Sequence, residues 1–141
     1  CASLGSFEGE PAFDRFMRLF RDPSYDGNLF GDISALTQIN RSAEPVETLL
    51  AAPELHHRLV NGSDYPLPAL RVLFSTGKWQ LAGLLGGEDR RMCNEIAEAN
   101  PLLFDFVLKR SLVLVREGRA CRFADSVFET DWLFGGGVHL V

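Results

Sequence analysis

Arg58-Leu59-Val60, followed by Asn61-Gly62-Ser63-Asp64-Tyr65-Pro66, is the stretch on which the reading of this chain turns. The short first run reads as the end of a buried strand. Gly62 lets the backbone bend tightly, and Pro66, with no N–H and a fixed φ, stops strand pairing from continuing. One carboxylate, Asp64, is therefore expected at the C-terminal lip of a strand, with Ser63 and Tyr65 beside it. In barrel enzymes that rim is where catalytic groups project. A solitary Asp after a strand also serves as a turn residue or a helix cap, so its surroundings have to decide.

Upstream, Leu29 to Ala35 predicts a second strand, on which Asp32 and Ser34 share one face and Ile33 points away. Phe13, Phe16, Met17 and Phe20 recur at i, i+3, i+4 and i+7, which predicts an amphipathic helix near Pro11 to Arg21. At that spacing the aromatic stripe reads as a core face rather than a ligand platform. Asp22 to Gly27 is turn chemistry, and Glu44-Pro45 opens a short helix through Ala52. Beyond Asp64, Pro68 opens a helix to about Thr76, and a second runs from about Lys78 to Leu85, ended by Gly86-Gly87. Glu88 to Ala99 and Pro101 to Arg110 read as further helices. Alternating strands and helices joined by short loops predict a parallel α/β fold. In the tail, Leu112 to Val115 and Arg122-Phe123 flank Glu117-Gly118, an appended β-hairpin, and Val127-Phe128 reads as another extended piece. Gly135-Gly136-Gly137 lacks the preceding strand and following helix that a phosphate loop needs.

Composition bounds the function. With 46% hydrophobic and 23% charged residues the chain can build a core, and a net charge of −5 disfavours nucleic acid and anionic membranes as partners. No apolar run reaches the roughly 18 residues a membrane span needs. Cys1, Cys93 and Cys121 are widely spaced and odd in number, with no CxxC, and read as buried reduced thiols of a cytoplasmic protein, a structural disulfide being the alternative.

The run Glu54 to Pro66 resembles the last barrel strand of the amidohydrolase-related superfamily, in the branch that holds metal-dependent hydrolases and aminocarboxymuconate-semialdehyde decarboxylase. Asn28 to Ala35 resembles the preceding strand, and Asn100-Pro101-Leu102-Leu103-Phe104 the signature of the closing helix. The resemblance covers roughly residues 1–110, with 111–141 as a C-terminal extension. It implies the last β/α units of a (β/α)8 TIM barrel. Such a barrel needs about 250 residues, rarely fewer than about 200, and this chain has 141. The family's His-x-His pair and further histidines are missing, since His56, His57 and His139 do not occupy those positions. The chain is accordingly expected to be the C-terminal part of a larger barrel, inactive by itself.

The resemblance makes Asp64 the active-site aspartate, as metal ligand, as proton acceptor from the attacking water, or as both. A divalent metal, zinc by preference, is implied only in company with upstream histidines. Asp32, Ser34 and Arg41 are the substrate-binding candidates, Arg41 through bidentate contact with a substrate carboxylate. Asp32 also reads as a structural hydrogen-bond acceptor, and Arg41 as a surface residue. His56 and His57 read as a helix C-terminal pair complementing the dipole. The expected partner is a small-molecule substrate, with homo-oligomers possible. Two function classes stay open. One is a metal-dependent enzyme that hydrolyses C–N or C–O bonds or decarboxylates an aromatic or unsaturated acid. The other is a degenerate relative with a binding or structural role.

Overall fold

The computed structural model describes residues 4–62, 64, 66–67, 70–129 and 131. Ser63, Tyr65, Pro68, the Gly135-Gly136-Gly137 run, His139 and Cys1 lie outside the described residues. The architecture is mixed α/β. A small antiparallel pair, β1 (Ser6–Phe7) and β2 (Glu10–Pro11), leads directly into α1 (Ala12–Phe20). The stripe expected on α1 divides. Met17 and Phe20 are in the core, while Phe16 stacks on Phe20 at 4.8 Å and is half-buried with Phe13.

The centre is a parallel pair, β3 (Gly31–Asp32) against β4 (Leu59–Val60), with Gly31 opposite Leu59 and Asp32 opposite Val60. The chain between them makes α2 (Glu44–Leu50) and a 3₁₀ helix, Pro53–Arg58. Two strands joined through helices run parallel, as the alternation predicts. Gly31 is needed for packing: a Cβ there would stand 3.0 Å from Leu59 Cδ2 and 3.0 Å from Phe16 Cζ.

The strand expected over 29–35 is only two residues long. The Asp32 carboxylate accepts the Ser34 N–H at 2.8 Å, a local turn that competes with the ladder and ends it. Ile33, Ala35 and Leu36 are buried beyond that turn.

The helix expected from Pro68 to Thr76 gives way to a 3₁₀ turn at Arg71–Leu73, and Thr76 begins α3 (Thr76–Leu81) instead of ending a helix. Ser75 explains the shift, because its Oγ accepts the Lys78 N–H and so caps a helix starting one residue later. α4 (Gly87–Ala99) and α5 (Pro101–Ser111) pack together, Asn100 capping α5 by accepting from the N–H groups of Leu102 and Leu103. The expected hairpin is present as β5 (Leu114–Arg116) and β6 (Arg119–Cys121). Val127 is not extended: Asp125–Val127 is a 3₁₀ turn, and the Val127 carbonyl accepts the Asn61 N–H at 3.0 Å. Leu112, Phe123 and Val127 join the core that holds Phe20, Leu50, Leu59 and Trp79. No described helix is long and apolar enough to cross a membrane.

Arg58 binds the centre to its surroundings. It is buried, donates to the carbonyls of Phe20, Tyr25 and Leu29 at 2.9–3.1 Å, and lies over the Phe20 ring.

Candidate functional site

Because β3 and β4 are parallel, their C-terminal ends lie together, and a cavity of about 570 Å³ opens there. Asp32, Ser34, Arg41 and Asp64 all line it, so the four residues singled out in the sequence meet in one place. Phe13, Phe16 and Leu67 add apolar wall.

Asp32 is exposed, but its Oδ1 is committed to two backbone donors, Ser34 N at 2.8 Å and Gly62 N at 3.1 Å. It bridges the chain leaving β3 and the chain leaving β4, which is the structural acceptor role foreseen for it. Gly62 works through space rather than through torsion. Its φ is not positive, and an added Cβ would stand 2.9 Å from Asp32 Oδ2. The left-handed backbone falls on Asp64, with φ 48°, and the Asp64 carbonyl accepts the Leu67 N–H at 2.8 Å. A non-glycine residue in that region costs about 1–3 kcal/mol, least for Asp and Asn, and such strain gathers at functional sites.

Ser34 is buried, and its carbonyl serves the Lys109 ammonium. Arg41 is half-buried, and its guanidinium reaches Gln38 Oε1 at a long 3.5 Å. Its Nε is buried without a partner, and among the described residues no carboxylate forms an ion pair with it. The Lys78 ammonium sits close by, donating to the carbonyls of Gln38 and Arg41. Burial, and secondarily the Arg41 charge, lower the Lys78 pKa. Arg41 lines the cavity and, among the described residues, keeps its Nε–H unengaged, which suits an anionic ligand group.

Sequence reasoning missed the groups beneath the site. Asp105 and Lys109, four residues apart on α5, form a buried pair at 2.5 Å, and Thr37 Oγ1 donates to Asp105 at 2.9 Å. Lys109 also reaches Ser34 O and Asn61 Oδ1. The available signal was their placement beside Phe104, Leu108 and Leu112, the apolar stripe of the same helix.

The histidines are accounted for elsewhere. His56 is buried, its Nε2–H donating to Leu49 O at 2.9 Å and its Nδ1 accepting from Ala124 N at 3.1 Å, so it is a neutral packing residue and not a dipole partner. His57 is exposed and pairs with Asp26 at 3.2 Å. Among the described residues no group of three or more His, Cys, Asp or Glu is placed to hold a metal ion. Zinc sites use three or four protein ligands, so the donors among the described residues do not fit a divalent metal by themselves.

Comparison with protein-family models, with curated proteins and with solved structures gives no match.

Proposed function

We propose that the chain is the C-terminal part of an amidohydrolase-related barrel enzyme that hydrolyses a C–N or C–O bond, with Asp64 accepting the proton of the attacking water. The observation that carries this reading is the meeting of Asp64, Asp32, Ser34 and Arg41 around one cavity at the C-terminal ends of two parallel strands. Asp64 is half-buried, lines the cavity and sits in a left-handed turn, a kind of backbone strain that gathers at functional sites. Asp32 is saturated by backbone donors and keeps the two strand ends together instead of taking part in proton transfer. Arg41, on the cavity wall, favours a substrate that carries a carboxylate, its apolar body lying against Phe13 and Phe16. The same guanidinium, its Nε unengaged among the described residues, supports nonoxidative decarboxylation as the second reading. Because the donor set here does not complete a metal site, no step of the proposal passes through a metal.

The test is to assay the protein that carries this segment against amides, lactones and esters, each with and without a carboxylate. Hydrolysis is expected for carboxylate-bearing members, and Arg41→Met should raise KM for these alone, by about tenfold or more for a lost charge-assisted contact. No turnover across the set, or equal KM values in Arg41→Met, would contradict the reading.

A further inference from the structure

Lys109 is fully buried, and its Nζ faces three oxygens: Ser34 O at 2.8 Å, Asn61 Oδ1 at 2.8 Å and Asp105 Oδ2 at 2.5 Å. Three acceptors match the three protons of an ammonium. For stability alone this is a poor use of a core position, since apolar residues of similar volume usually do as well. Its placement is informative. Ser34 lies two residues past Asp32, and Asn61 is the first residue past β4, three before Asp64. The third arm is rooted in α5. One atom therefore ties together the two strand ends that carry the cavity's carboxylates. At the cavity the same ends meet again, through Gly62 N–H and Asp32 Oδ1.

We propose that Lys109 is a positioning residue, which fixes the spacing of Asp32 and Asp64 by holding the Ser34 carbonyl and the Asn61 side chain on one ammonium. Burial lowers the Lys109 pKa, and the Asp105 carboxylate, with Asp32 and Asp64 after it, opposes that shift. The inference rests on reading those two as site residues, but its test does not use turnover.

Two variants of the full chain serve. Lys109→Met/Asp105→Asn removes both buried charges and keeps a partner for Thr37, whereas Asn61→Ala cuts one arm and leaves the pair intact. The readout is amide hydrogen exchange at Ser34 and Gly62, the two donors to Asp32, relative to core amides of α4. A general loss of stability speeds all of them together, so their ratio isolates the local effect. Both amides should exchange about tenfold or more faster relative to α4, the worth of one hydrogen bond. A ratio within about twofold of the parent in Asn61→Ala, or in the double variant where it folds, would overturn the proposal. Faster exchange together with an Asp64→Asn variant of full activity would retain Lys109 as a positioning residue and reject the hydrolytic reading.

Discussion

Asp32 and Asp64 both line the cavity, but Asp32 Oδ1 is engaged by two backbone N–H groups, whereas Asp64 is half-buried on a left-handed turn. Gly62 makes that arrangement possible, and Gly62→Ala should push the Asp32 carboxylate away at a cost of about 1–3 kcal/mol, the usual penalty of overpacking. Denaturant titration checks this, and an unchanged midpoint would contradict it. The thiols differ in the same local way. Burial pushes the Cys93 thiol above its ordinary value, outweighing a hydrogen bond with Ser111. A raised folded pKa means the associated stability is complete below about pH 9 and lost as pH rises past it. At pH 8.5 an alkylating reagent should therefore modify half-buried Cys121 well before Cys93, and equal rates would refute this account. Asp64, Asp32, Ser34 and Arg41 could be picked out from local sequence, since turn chemistry is written in adjacent residues. The reason for Gly62 was not legible, because it depends on a contact with a residue thirty positions away.

At the scale of elements, periodicity was a good guide wherever a helix packs one face. α1, α4 and α5 fall close to their expected bounds. The misplacements share a cause, namely side chains that bind the backbone locally: Asp32 ends β3 early, and Ser75 starts α3 at Thr76, ahead of the expected Lys78. Asn100 works in the expected sense, and Asn100→Ala should cost about 1 kcal/mol by uncapping α5. Arg58 is the stronger case, with the carbonyl of Phe20 at the end of α1 and those of Tyr25 and Leu29 beyond it depending on it. Arg58→Met should destabilise by about 3–5 kcal/mol, the range seen on removing one partner of a buried charged contact. Arg58→Lys should recover little of it, because an ammonium cannot reproduce the planar fork. Thermal unfolding of the two variants side by side decides the matter, and full recovery by Lys would contradict the fork argument.

For the whole molecule, one parallel pair supplies the geometry that everything else decorates, and among the described residues no third strand joins β3 and β4. The 141 residues alone should associate through those strand positions, as unpaired edges do. Sedimentation giving a monodisperse monomer would count against the barrel reading. Calorimetric titration with zinc should detect no tight one-to-one site in this chain, since two carboxylates fall short of a zinc ligand set. The central claim is that Asp64 takes a proton, and it is tested most directly by turnover of Asp64→Asn in the protein that carries this segment. Asn keeps the size and tolerates the left-handed backbone of this turn, so the melting temperature should not change. The account predicts a rate loss of about 10²- to 10⁴-fold, the contribution of a general base. Activity within about threefold of the parent would contradict it.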